Sequence, residues 1–309
     1  MRIYALAVAM SAVLITSCGS DESSSNGLSS HLQVSQDNRK VSVSFTELNI
    51  KWFGAKETIV DNQTPQTRSL QETRTKSIRK FLSDNKLLSD VMIFEEIVDV
   101  DLLQSDVLGK TYQCHSYENS DAKHQHVVIC HKNNYIFSIS DDDENYSLES
   151  VNVSGRLRPA VHGILKTKNN KHIAHVFGVH LKANPNMSDV RLNQVNKLVE
   201  YINNQEDRSD PIIVMGDYNT YNEDPAAIEK IFKKAQMTEL EIPKSYTWAS
   251  SSEEYEPAKF DRVWMSKNII SKVKSSDIKG PCNSGDKKLI AEYNQKVSDH
   301  CPVTLTIEQ

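Results

Sequence analysis

From residue 41 onward the chain is built from short, strand-like apolar runs, and several of them stop at a polar motif. Ile212-Ile213-Val214-Met215 runs straight into Gly216-Asp217-Tyr218-Asn219, and Ser298-Asp299-His300 stands just ahead of Val303-Thr304-Leu305. An Asp–His pair and an Asp-x-Asn pair at strand edges suit a hard metal ion and in-line attack on phosphorus. A carboxylate holds Mg²⁺, an imidazole moves a proton and an amide orients a phosphate oxygen.

The remaining elements follow from hydrophobic period. Val41 to Phe45 alternates as a strand and continues through Ile50, and Val91 to Phe94 reads as a short buried strand. Leu70, Arg74, Ile78, Phe81 and Leu82 keep helical spacing, which predicts an amphipathic helix over 67–83. Val195, Leu198, Val199 and Ile202 share one face of a helix over 190–202. Asp224-Pro225 opens another helix, with Asp as N-cap. Two hairpins are expected: 127–130 with 135–139, turning at Asn133-Asn134, and 159–165 with 173–181, turning at Asn169-Asn170. Residues 260–265 and 302–307 read as strands. Two hairpin-rich halves that each carry helices imply an α/β fold, a four-layer α/β/β/α sandwich of two packed mixed sheets flanked by helices.

The start of the chain is different. Arg2 precedes an apolar run from Ala5 to Ile15 that is too short to span a membrane. It ends in Leu14-Ile15-Thr16-Ser17-Cys18, which resembles the lipobox of bacterial lipoproteins. On that resemblance residues 1–17 are a signal peptide and Cys18 becomes a lipidated N-terminus. An ordinary secretory signal with an incidental cysteine is the alternative. Gly19 after the cysteine points to the outer membrane, where the host has one. Residues 18–40 are rich in Ser, Asn, Asp and Gln, and bury too little to fold, so they read as a tether to one catalytic domain over 41–309. The protein is thus expected to be exported, anchored in the cell envelope through its lipid, and monomeric. Its net charge of −5 disfavours non-specific binding to nucleic acid but leaves room for a local basic rim and a metal.

Cys114, Cys130, Cys282 and Cys301 make an even set in an exported chain, which suggests disulfides. Neighbour pairing, Cys114–Cys130 and Cys282–Cys301, is preferred among three connectivities. Four buried free thiols are the alternative.

Taken in chain order, Leu48-Asn49-Ile50-Lys51-Trp52-Phe53-Gly54, Ile93-Phe94-Glu95-Glu96-Ile97, Leu157-Arg158-Pro159-Ala160, Gly178-Val179-His180-Leu181-Lys182, Gly216-Asp217-Tyr218-Asn219, Phe260-Asp261-Arg262-Val263-Trp264 and Ser298-Asp299-His300 resemble the endonuclease/exonuclease/phosphatase superfamily. Its best-known branches are the pancreatic DNase and exonuclease III types. Each motif alone is weak; their order carries the signal. The resemblance implies that Glu96, Asn49 and Asp299 hold Mg²⁺ or Mn²⁺. It implies that Asp217 and Asn219 position water and phosphate, with Arg158 and Asn219 contacting phosphate. His300 is implied as general base or phosphate contact, oriented by Asp261 as a carboxylate fixes an imidazole tautomer. His180 resembles the second histidine of the DNase branch and argues, with the export signal, against an apurinic-site repair enzyme. Two departures stand out. Glu95 replaces the usual Gln before the metal-binding Glu, adding a negative charge. Gln125 stands where DNase-type members usually carry a Glu facing the second histidine.

The implied activity is a metal-dependent phosphodiesterase acting on nucleic acid, DNA first and RNA second. A sphingomyelinase-like or phosphoinositide phosphoesterase on the same fold is the alternative, as is a non-catalytic binding protein. Asp141-Asp142-Asp143-Glu144 reads as a solvated turn, with a structural Ca²⁺ loop as the sharper alternative. Lys51 and Lys182 read as either a phosphate-contacting rim or plain surface, Trp248 as core, and Asp261 taken alone as an ion pair with Arg262.

Overall fold

The alternation at Val43 and Phe45 does form a strand, Ser42–Phe53, the first element of a computed structural model that describes residues 40–55, 59–60, 65–66, 68–117, 125–140, 143–205 and 209–309. Cys18, the signal segment and the tether up to Arg39 lie outside the described residues, as do Asp141 and Asp142. Ser42–Phe53 runs parallel to Val91–Ile97 and antiparallel to Val303–Glu308. Val273–Ile278 extends one edge, and His126–Lys132 followed by Tyr112–His115 extends the other, giving a six-stranded sheet.

The second sheet repeats this plan. His172–His180 lies parallel to Ile212–Asp217 and antiparallel to Ala160–Thr167. Asp261–Ser266 and Met237–Glu239 continue beyond Ile212–Asp217, while Tyr135–Ser138 and Ser147–Leu148 pair with Ala160–Thr167. Each sheet is therefore mixed, with one parallel pair near its middle.

The pleat sorts residues between layers. Val176, Ile213, Met215, Val263 and Met265 join Phe45, Ile93 and Ile129 in the core between the sheets. Their neighbours Phe177, Val179, Val214 and Trp264 face the other way, against Val195, Leu198, Val199 and Ile202 of the helix Ser188–Asn204 and Ile228 and Phe232 of Asp224–Lys234. On the first sheet, Ile78 and Leu82 of Arg68–Asp84 join the core, and Phe81 packs edge-on against Tyr293 of Lys287–Lys296, with ring centroids 5.2 Å apart. The result is the expected four-layer sandwich. Among the described residues no helix is long and apolar enough to cross a membrane.

Two local expectations are corrected. The Asn133-Asn134 reversal exists, but its flanking strands are not a hairpin: His126–Lys132 stays in the first sheet and Tyr135–Ser138 joins the second. Turn chemistry permits the reversal, whereas the partner is chosen by which sheet offers an open edge for the matching face. Asp224 begins its helix instead of capping it; Glu223 holds the cap position. The Asp224 carboxylate turns back to accept from the Tyr221 N–H (3.0 Å) and from the buried Arg191 guanidinium (2.6 and 2.9 Å).

Both disulfides join sequence neighbours. Cys114–Cys130 staples two adjacent strands at one edge of the first sheet, and Cys282–Cys301 ties a loop to the residue after His300.

Candidate active site

The parallel pair of the second sheet ends in a row of functional groups. In register, His180 faces Asp217 and Asp217 faces Asp261, so three chain positions converge across three neighbouring strands. Gly216 makes the approach feasible: its φ is +147°, and a methyl group there would run into the Val179 carbonyl oxygen. Just beyond, Asn219 adopts a left-handed φ of +47°. This returns its N–H to Asp217 Oδ1 (2.8 Å) and its Nδ2 to the Leu181 carbonyl (3.2 Å), locking the aspartate's orientation.

The first sheet supplies the opposing groups. Regular pairing breaks after Asn49, where Lys51 and Trp52 take φ values of +31° and +53° and Glu96 on the neighbouring strand takes +60°. Non-glycine residues in this region cost about 1–3 kcal/mol each and persist only where their surroundings hold them. Here buried Arg74 does the holding. Its guanidinium donates to the carbonyls of Lys51 (2.9 Å), Ile50 (2.8 Å) and Val297 (2.7 Å), tying this turn to the one that carries Asp299 and His300. The left-handed turn brings Glu96 back toward Asn49, whose Nδ2 donates to Glu96 Oε1 and Asp217 Oδ2, each at 3.1 Å. The amide's orientation is fixed by the Lys51 N–H on its Oδ1 (2.9 Å). Asn49, Glu96 and Asp217 are thus brought together across the two sheets.

Asp261 and His300 form a tight pair, with His300 Nδ1 at 3.0 and 2.9 Å from the two carboxylate oxygens. Thr247 Oγ1 accepts the Asp261 N–H (2.9 Å), and Tyr293 donates to the His300 carbonyl (2.9 Å). Arg262 binds Glu239 instead of Asp261, which removes the ordinary ion-pair reading. Burial alone would depress the His300 pKa, but Asp261, with Asp217 and Asp299 behind it, lifts it to about 10. His300 is an imidazolium at neutral pH. Burial pushes Asp217 up to about 7, with Asp261 and Glu96 adding to the rise and His300 opposing it.

His180 is the opposite case. Its Nε2 lies 3.5 Å from Asp217 Oδ2, but burial first, then Arg158 and His300, pull its pKa well below the ordinary imidazole value. Its buried Nδ1 has no hydrogen-bond partner among the described residues. Gln125 does not orient it. Gln125 links the Arg158 guanidinium (2.7 Å to Oε1) to Glu96 Oε2 (2.7 Å from Nε2). The departure at position 125 is therefore a rewiring: the amide couples a phosphate-contact candidate to a metal-ligand candidate.

Asp299 lies beside Lys51, with Nζ–Oδ2 at 3.2 Å and both side chains almost fully enclosed, and Trp248 lines the same cleft. Burial would raise the Asp299 pKa; Lys51, then His300, bring it below its usual value. Trp248 is thus half-buried and at the site, not core. Glu95 is fully buried: burial first, with Asp261 contributing, raises its pKa well above the usual carboxylate value, and the equally buried Glu47 behaves alike. Asp143, from the acidic turn, serves buried His162 (3.2 Å) and Tyr201 (2.6 Å).

Sequence reasoning missed Arg74 as a clamp and Lys51 as an enclosed cation. An arginine on an otherwise apolar helical face was a usable signal for Arg74. Nothing local marks the Lys51-Trp52 turn, which contains no glycine or asparagine.

Lys51, Glu96, His180, Asp217, Asp299 and His300 line a cleft of about 850 Å³ with Trp52, Arg158, Tyr221, Trp248, Tyr255 and Phe260. Its charges decide whether a divalent ion fits. Asp261 is matched by His300 and Asp299 by Lys51. Glu96 and Asp217 share amide donors, and their hard oxygens converge on Asn49. A Mg²⁺- or Mn²⁺-sized cation fits that donor set. Asp217, Asp261 and His300 also present one ligand atom each within 4.8 Å of one another, but His300, its pKa lifted to about 10 beside Asp261, opposes a cation there, so this trio suits proton handling.

No family model matches the chain, and no curated protein matches it in sequence. Solved structures do match. The Danio rerio TDP2 complexed with single-strand DNA product superposes with TM-score 0.63 at 15% identity, over 86% of this chain and 98% of that one. An endonuclease/exonuclease/phosphatase from Bacteroides vulgatus matches with TM-score 0.61 at 17% identity, over 87% and 99%. ANGEL2, a 2′,3′-cyclic phosphatase in complex with adenosine-2′,3′-vanadate, matches with TM-score 0.57 at 16% identity, over 87% and 96%. Likeness at such identity speaks to architecture, and the architecture of this chain is the endonuclease/exonuclease/phosphatase, DNase I-like fold.

Proposed function

We propose that this chain is a divalent-metal-dependent phosphodiesterase that hydrolyses nucleic acid, DNA foremost, by attack of water on phosphorus. The observation that carries the reading is the setting of Asp217 Oδ2, which faces the Asn49 amide, neutral His180 and cationic His300, with Glu96 beyond the amide. Glu96 and Asp217 would hold Mg²⁺ or Mn²⁺, which when bound neutralises charge on the phosphate's non-bridging oxygens; Asn49, with its NH₂ on both carboxylates and its Oδ1 on the Lys51 N–H, orients them instead of ligating. Asp217, titrating near pH 7, and neutral His180 are the groups able to take a proton from water. The His300 imidazolium, fixed by Asp261, contacts the phosphate and donates toward the leaving oxygen. That is the phosphate-contact role implied by the motif, not the general-base role. Arg158 and Asn219 contact the phosphate from the cleft wall.

The single-strand DNA product on TDP2 and the adenosine-2′,3′-vanadate on ANGEL2 are both nucleic-acid phosphoryl ligands. They support the same substrate class here. The resemblance of Leu14 to Cys18 to a lipobox supports export and a lipid anchor in the cell envelope.

One observation favours the lipid alternative. Trp248 and Tyr255 meet edge-on at 6.2 Å beside Glu254 and Glu256 on the cleft wall, a setting that suits a quaternary ammonium headgroup. The deciding experiment offers the soluble chain supercoiled plasmid or sphingomyelin, with Mg²⁺ or Mn²⁺ and an EDTA control. Metal-dependent nicking that vanishes in Asp217→Ala supports the nuclease. Choline phosphate release with intact plasmid moves the protein to the lipid branch.

A further inference from the structure

The cleft contains an ammonium that the metal-site reading leaves unused. Lys51 follows Asn49 by two residues, and in a regular strand it would share that residue's face. The left-handed backbone at Lys51 and Trp52 instead bends the chain at this point. Its Nζ meets Asp299 Oδ2 at 3.2 Å with side-chain exposures of only 10% and 12%. Enclosing a lysine is costly unless the charge is paired. Here the structure is built around the pair. Arg74 clamps the Lys51 carbonyl and the Val297 carbonyl together, and Ser298 Oγ donates to the Asn49 carbonyl at 2.6 Å. The two turns that carry Lys51 and Asp299 are thereby bolted to each other. Lys51 holds the Asp299 carboxylate at 3.2 Å, which leaves it a poor free ligand. Lys51, Glu96, Asp217, Asp299 and His300 line the same cleft.

We propose that Lys51 is a catalytic cation whose ammonium contacts a non-bridging oxygen of the reacting phosphate, and that Asp299 positions this ammonium instead of ligating a divalent ion. The site then works with one divalent ion at Glu96 and Asp217 and one resident ammonium at Asp299. A fixed cation at this place supplies charge stabilisation without a second ion, and removal of one such donor costs about 10²–10³ in kcat. The inference rests on the phosphoester reading of the site.

The test uses the soluble catalytic chain and two binding measurements that do not depend on turnover: the affinity for Mn²⁺ alone, and the affinity for inorganic phosphate in saturating Mn²⁺. Lys51→Met is expected to weaken phosphate at least about tenfold and lower kcat about 10²–10³-fold, with Mn²⁺ affinity within about threefold of the unmutated chain. Lys51→Arg keeps the charge and is expected to recover most of the phosphate affinity. Asp299→Asn is expected to weaken phosphate while leaving Mn²⁺ within about threefold, because its role runs through Lys51. Thermal melts guard against misfolding, and Lys51→Arg serves as the folded comparison if Lys51→Met melts early. A loss of Mn²⁺ affinity of about tenfold or more in Asp299→Asn overturns the assignment and makes Asp299 a metal ligand. Unchanged phosphate affinity and kcat in Lys51→Met overturns the catalytic role. If the unmutated chain binds Mn²⁺ but no phosphate, the phosphoester reading itself fails and the proposal falls with it.

Discussion

His180 and His300 approach the same oxygen of Asp217, at 3.5 and 3.8 Å, one from the strand His172–His180 and one from the segment ahead of Val303–Glu308. Their surroundings drive them apart. His300 has a carboxylate on its inner nitrogen and two more nearby, which outweigh burial and hold it protonated up to about pH 10. His180 is fully buried with a guanidinium near it, which pull its pKa well below the usual imidazole value, and its inner nitrogen has no hydrogen-bond partner among the described residues. When environment separates two equivalent groups in this way, the charged one suits donation and the neutral one suits acceptance. The contrast shows that the assignment of roles lies in what stands behind each ring, not in the histidine motifs themselves.

The largest effect is expected from the residue the two histidines share. Asp217→Asn should lower kcat about 10³-fold or more. It should also stabilise the metal-free fold above pH 7. The Asp217 pKa is raised in the folded state, so the wild-type residue loses stability as pH rises from its unfolded value toward about 7. A melting series against pH checks both signs.

Next come the rings themselves. His300→Gln should cost about 10²–10⁴ in kcat and His180→Gln less. Their stability signatures should be opposite. His300 has a raised pKa, so its contribution is full below about 6.5 and fades as pH climbs through about 10. His180 has a lowered pKa, so the fold loses stability as pH drops below about 6.5, where only the unfolded ring takes a proton. His300→Gln should flatten the alkaline limb of the melting profile and His180→Gln the acid limb. The same limb changing in both variants would erase the contrast.

A subtler variant probes the wiring behind His180. Gln125→Leu uncouples Arg158 from Glu96 and should raise KM about tenfold with less than a threefold change in kcat. Smallest in catalytic effect are the disulfides. Replacing either pair by serine should cost about 3 kcal/mol in chemical unfolding. Only loss of Cys282–Cys301, adjacent to His300, should also lower kcat; an unchanged kcat there would detach the bridge from the site.

Much of this was legible in the chain because period and order carry it. The helix faces at Ile78 and Leu82 and at Val195 to Ile202 are buried as their spacing implied, and the polar motifs do meet at the ends of the two parallel strand pairs. What the chain did not reveal depends on backbone left turns and on partners distant in sequence. A left-handed Glu96 carries this carboxylate, while Glu95 stays buried with Glu47. No turn residue announces the bend at Lys51, and the partner of Gln125 depends on a guanidinium 33 residues away. The Asn133-Asn134 pair specified a reversal but could not specify which sheet would take the next strand.

The most direct test is an NMR titration of the histidine ring nitrogens in the metal-free chain, with His180→Gln and His300→Gln used for assignment. One ring is expected to remain an imidazolium to about pH 10 and to disappear in His300→Gln, while the ring lost in His180→Gln remains neutral below pH 6.5. Two rings titrating together near 6.5 would contradict the opposed environments on which the proposed division of labour rests.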